Sequence, residues 1–109
     1  MTKPILVYLS CPNKKQAEEI GEQLLCKRLV ACFSVLDGVK SEFFWPPKSK
    51  AIDSVRETVL LAKTLEIKWK AIEKLVHKLH SDEVPDLLAI PIRNISQKYY
   101  NWLKGELIV

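Results

Sequence analysis

Glycine is scarce in this chain, three residues in 109. None stands in a G-x-G-x-x-G or G-x4-G-K-[ST] setting, which removes the phosphate-cradling loops of nucleotide chemistry. Cys11, Cys26 and Cys32 form no C-x-x-C pair and leave an odd thiol over, so neither a disulfide framework nor a zinc ribbon is expected. The two histidines, His77 and His80, belong to one segment and make no H-E-x-x-H pattern. No apolar run nears the roughly 20 residues of a membrane helix. The run Ile5–Cys11 is cut off by Pro12-Asn13-Lys14-Lys15, too early for a signal peptide. These absences lead to the expectation of a soluble, cytoplasmic protein with no membrane insertion. Repeats, linkers and low-complexity stretches are missing too, which leaves one domain over residues 1–109.

What is present is ordinary for a globular domain: 48% hydrophobic and 28% charged residues, with a net charge of +4. The lysines and arginines are interspersed with acids, which reads as a solvated mixed surface and not as a nucleic-acid tract. Ile5–Cys11 and Val30–Leu36 are rich in β-formers. From Val39 to Trp45 the pattern continues, so Asp37-Gly38 reads as a bulge inside one long strand. Trp45-Pro46-Pro47-Lys48-Ser49-Lys50 then turns the chain, and a return strand runs from about Ile52 to Lys63. Helical spacing of Ala17, Ile20, Leu24 and Leu25 follows Asn13, an N-cap with Gln16 placed to reach back. Leu65, Trp69, Ile72, Leu75, Val76 and Leu79 give a second stripe, with Thr64 as its expected cap. Leu87–Ile92 is the fourth strand, expected at an edge or to end at Pro91, which lacks a donor. Asn94 or Ser96 starts a last helix carrying Tyr99, Trp102 and Leu103.

The order strand, helix, strand, strand, helix, strand predicts an α+β, ferredoxin-like sandwich: βαββαβ, an antiparallel sheet with helices on one face. An RNA-recognition domain shares that order, but its third strand carries stacked aromatics and glycine, whereas this one reads "SVRETVLLAKT". No nucleic-acid partner is expected. Strands two and three are about twice the usual length. Their outer half, with Phe43, Phe44 and Trp45, predicts self-association.

The topology brings Cys11 near the turn His80–Asp86. A thiolate, an imidazole and the carboxylate of Asp82 or Glu83 form one candidate set, suited to copper or zinc. The alternative is structural: Cys11 as a small hydrophobe, His80 as a helix-end cap, Ser81-Asp82-Glu83 as a turn. Both stay open on the residues alone. Cys11 as an enzyme nucleophile lacks an identifiable partner base.

Taken in order, "CPNKKQAEEIGEQLLCKRLVACFSVLDGVKS", "ETVLLAKT", "LHSDEVPDLLAIPI" and "YYNWL" resemble the CutA divalent-cation tolerance family. The resemblance implies a homotrimer related to nitrogen-regulatory PII proteins, divalent-metal (copper) tolerance, no enzymatic activity and no required cofactor beyond a bound copper or other divalent ion. It implies metal ligands at Cys11, His80 and Glu83, with Asp82 added. It further implies that Trp45, Lys48, Glu57, Lys63, Tyr99 and Trp102 are cleft or trimer residues. Two departures stand out: Ser81-Asp82 replace the family's Pro-Tyr, and Pro46-Pro47 alter its hairpin tip. The alternative function is a PII-like signalling or scaffold trimer whose clefts bind a small anion, with Lys48 and Lys50 as contacts, or a partner protein.

Overall fold

A computed structural model describes residues 2–108. Its elements are β1 (Pro4–Cys11), α1 (Lys14–Cys26), β2 (Cys32–Phe44), β3 (Ile52–Leu65), α2 (Trp69–Leu79), β4 (Leu87–Pro91) and α3 (Gln97–Leu107), with a 3₁₀ turn at Glu66–Lys68. The four strands form one antiparallel sheet in the order β2-β3-β1-β4. This is the expected ferredoxin-like arrangement, and β4, with Pro91, is at an edge.

Alternation along the strands sorts the side chains. Ile5, Val7, Leu9 and Cys11 of β1 pack with Leu60 and Ala62 of β3 against Ala17, Ile20 and Leu24 of α1 and Ile72 and Val76 of α2. This is the main core. The opposite sheet face carries Leu6 and Tyr8, with Lys63 and Leu61 of β3 and Ile90 and Leu88 of β4 directly across from them. α3 forms a second, separate cluster, in which Tyr100, Leu103 and Leu107 pack on Leu65.

Asn13 caps α1, its Oδ1 accepting from the Gln16 backbone N–H at 2.8 Å. The Gln16 side chain does not complete a capping box. It bonds instead to the Ser81 hydroxyl at 3.0 Å, tying α1 to the turn before β4. Thr64 does not cap α2 either: it is buried in β3, and its hydroxyl donates to the Leu29 carbonyl. That bond and the pairing of Leu65 with Pro4 carry β3 two residues further than expected. Leu25 and Leu79, placed in the apolar stripes by spacing, are 42% and 38% exposed.

The bulge is where the sequence puts it. Leu36 pairs with Val59 and Val39 with Glu57, so Asp37 and Gly38 together face one residue, Thr58. Gly38 sits at φ +71, open to glycine at no steric cost. The Asp37 carboxylate accepts from the Thr58 hydroxyl (2.8 Å) and the Gly38 N–H (2.9 Å), which fixes the step. Beyond it Val39, Ser41 and Phe43 lie across from Glu57, Val55 and Asp53. At about 3.3 Å per residue, a 13-residue strand is about 43 Å long, close to the molecule's 46 Å axis. The β2–β3 ribbon therefore sets that axis.

Candidate functional site

The sheet's face away from α1 and α2 ends in a cleft between the ribbon and the turn Ser81–Asp86. Its volume is about 720 Å³. Ser10 forms part of the floor, Ser41, Phe43, Trp45, Asp53 and Glu57 the ribbon wall, and Ser81 to Val84 with Asp86 the opposite wall. Among the described residues, six carboxylates line it (Glu42, Asp53, Glu57, Asp82, Glu83 and Asp86), and no lysine, arginine or histidine does. In a chain with 17 Lys and Arg against 13 Asp and Glu, this is a local reversal of sign. The walls are held from several elements. The Ser10 hydroxyl donates to Asp86 Oδ2 at 3.1 Å, and the Ser10 N–H to the Asp86 carbonyl at 3.3 Å.

Strand alternation divides the residues singled out from the sequence. Ser10 looks into the cleft, so its neighbour Cys11 points to the core and is fully buried. Burial pushes the Cys11 thiol up to about 11, with the Asp82 and Glu57 carboxylates adding to the shift. The thiolate that a metal would need is thus disfavoured until a cation arrives. His80 is 7% exposed and uses both ring nitrogens. Nε2–H donates to the Ser10 carbonyl at 2.8 Å, and Nδ1 accepts from the Asp82 N–H at 3.0 Å. The imidazole therefore ties the 81–86 turn to β1. Its Nδ1 is 3.9 Å from Asp82 Oδ2. Asp82 and Glu83 line the cleft directly. Among the described residues, no three His, Cys, Asp or Glu side chains converge as a ready metal-ligand set.

The remaining candidates fall into two places. Trp45 and Glu57 belong to the cleft, while Lys48 lies exposed in the ribbon turn at φ 65 and does not line it. Lys63, Tyr99 and Trp102 gather at the α3 end of the sheet. There the Lys63 Nζ lies 5.4 Å from the Tyr99 ring centre, and the Trp102 ring 5.5 Å from it. Cys32 Sγ joins them, 3.6 Å from the Tyr99 hydroxyl. Burial first, then the contact with Cys32, pushes the Tyr99 phenol up against the opposing pull of Lys63. Cys32 raises the Lys63 ammonium's pKa, against burial. Sequence reasoning missed Glu42, Asp53 and Asp86 as cleft residues. The signal for Asp53 was available: it shares strand parity with Glu57, four residues on.

A family model described as CutA1 divalent ion tolerance protein matches residues 5–106. The chain is 36% identical over 104 residues to the divalent-cation tolerance protein CutA of Thermotoga maritima, covering 95% of this chain and 99% of that protein. It is 31% identical to the chloroplastic protein CutA 1 of Oryza sativa, over 94% of this chain but 56% of that longer protein. The solved structure of the periplasmic divalent cation tolerance protein CutA from Archaeoglobus fulgidus matches with a TM-score of 0.89 and 29% identity, covering 95% and 98% of the two chains. The cytoplasmic expectation is thereby corrected: similar proteins are named for the periplasm and the chloroplast. The physical reason is that three unpaired cysteines exclude a disulfide scaffold without fixing a compartment. Among the described residues, no helix is long and apolar enough to cross a membrane.

Proposed function

Because the chain belongs to the CutA1 divalent ion tolerance family, we propose that it is a non-catalytic, cation-binding tolerance protein that takes its ion in the acidic cleft. The observation that carries this is the set of six carboxylates lining a space of about 720 Å³, of which only Glu42 has a lysine beside it, Lys40 at 3.9 Å, among the described residues. Carboxylate, hydroxyl and carbonyl oxygens suit hard divalent ions. Glu57, Asp82 and Glu83 are the carboxylates we assign to it, acting on a hydrated ion since no three of the described side chains converge as direct ligands, with His80 positioning the turn that bears two of them. A second reading places copper at Cys11 with His80. It is favoured by the action of Asp82 and Glu57 on the Cys11 thiol, which puts that sulfur close beneath the cleft. It requires the imidazole to release the Ser10 carbonyl or the Asp82 N–H. An anionic ligand, as in a PII-like signalling trimer, meets repulsion from all six carboxylates.

Calorimetric titration with Mn(II), Zn(II) and Cu(I) separates the two readings. Cleft binding predicts at least a tenfold loss of Mn(II) affinity in a Glu57→Gln, Asp82→Asn double variant and little change in Cys11→Ala. The opposite pattern, with Cu(I) lost in Cys11→Ala, moves the site to the thiol. No heat with any ion sinks both.

We further propose a homotrimer. Among the described residues, no helix outside the α3 cluster lies over the sheet face that carries the cleft, and Leu36, Leu88 and Ile90 there are 50%, 41% and 45% exposed. An apolar sheet face of this kind is ordinarily covered.

A further inference from the structure

We infer that α3 is a strap that opens from the sheet as a unit of its own, and that Arg28, at the end of α1, is the catch that holds it shut. Neither part depends on the cation reading of the cleft.

The catch is visible in the backbone. After α1 the Leu29 N–H donates to the Leu24 carbonyl at 2.9 Å, and the Arg28 N–H to the Leu25 carbonyl at 3.0 Å. This is the Schellman close of a helix, in which the residue at the place of Arg28 turns left-handed and is usually glycine. Arg28 stands there at φ 54, a conformation that costs a residue with a Cβ. Its guanidinium reaches the end of α3. Nη1 donates to the Glu106 carbonyl at 2.8 Å and to Glu106 Oε2 at 2.9 Å. Glu106 is the last residue but one of α3, so its carbonyl has no donor within the helix. One cation thus answers an orphan carbonyl and the negative end of a helix dipole. Strain at one helix end is set against a bond to another, 78 residues away.

The strap is visible in the packing. Tyr100, Leu103 and Leu107 join Leu65, with Ala31 and Ile95 beside them, in a cluster that shares no residue with the main core. Ser96, at the N-cap, makes no side-chain bond to the first turn. At 11 residues α3 is too short to persist as a helix off the sheet, so undocking and unwinding are one event. A small separate cluster of this kind opens sub-globally, ahead of the core. Opening lifts Tyr99 from Lys63 and Cys32, frees the Tyr100 hydroxyl from the Thr2 carbonyl and bares Leu65.

Hydrogen exchange of the full chain, read by mass spectrometry, tests both parts. In the wild type the protection of α3 amides is expected to lie roughly tenfold or more below that of β1. Arg28→Gly relaxes the end of α1, so the variant keeps its fold. It should lower α3 protection roughly fivefold or more while β1 and α1 hold within about twofold. Glu106→Gln should lower α3 protection about twofold in the wild type and leave it unchanged in Arg28→Gly, because the two residues act as one contact. Equal protection of α3 and β1 overturns the strap. The catch is overturned if Arg28→Gly leaves α3 as protected as in the wild type, or if it loosens α3 and β1 together.

Discussion

Ser10 and Cys11 are adjacent in the chain and face opposite sides of the sheet, and the chemistry of the site turns on that. The division was legible in the sequence, since Ile5, Val7, Leu9 and Cys11 share one strand parity and three of the four are large hydrophobes. What one chain could not display was the hydrogen bonding of His80, because both its partners are backbone groups. The buried thiol has a measurable signature. Its pKa is raised from 9.0 to about 11, by burial first and then by Asp82 and Glu57. The folded state thus keeps the proton longer than the unfolded state. The stabilisation is fully present below pH 9 and is lost as pH rises towards 11, by roughly 2–3 kcal/mol. Urea unfolding at pH 8 and pH 10.5 should show this loss in the wild type and a shallower one in Cys11→Ala. Parallel slopes would mean that the thiol is not protected.

At the scale of elements, α1 approaches the sheet closely because it has a glycine at the crossing. A Cβ at Gly21 would lie 2.6 Å from the Phe33 ring. Alanine there gains about 1 kcal/mol of helix propensity but overpacks the contact by about 1–3 kcal/mol. Gly21→Ala is therefore expected to lower the urea midpoint. In a Phe33→Leu background the same substitution should raise it, which a double-mutant cycle would read directly. Strand order and the bulge were readable from the order of elements and the turn residues, and Pro91 narrowed β4 to an edge or an end there. The start of α2 was not, because Thr64 is equally suited to a cap and to a buried strand position. Only the distant Leu29 carbonyl decides between them. Gln16 is a similar case: its spacing from Asn13 fits a capping box, and the competing partner, Ser81, is 65 residues away.

For the whole molecule, the exposed face around Leu36, Leu88 and Ile90 leads to an expected change of assembly state on mutation. Sedimentation equilibrium at micromolar concentration should give three copies for the wild type and a single copy for a Leu88→Lys, Ile90→Lys double variant. Both side chains are already exposed in the isolated chain, so its own core should survive the change. A wild-type monomer would remove the trimer. Family and fold were visible in sequence, whereas the acid-lined cleft had to be assembled from residues between Ser10 and Asp86 by the folding of the sheet. The two-for-one step at Asp37-Gly38 has a further consequence for how such a ribbon can vary. It works as a parity correction. A variant that loses one residue there keeps every odd and even position of the outer ribbon on its present side and merely straightens the strand. A variant that irons the step flat without shortening the chain would exchange the two sides, sending Phe43 outward and Phe44 inward, so the same tip sequence would furnish a different pocket.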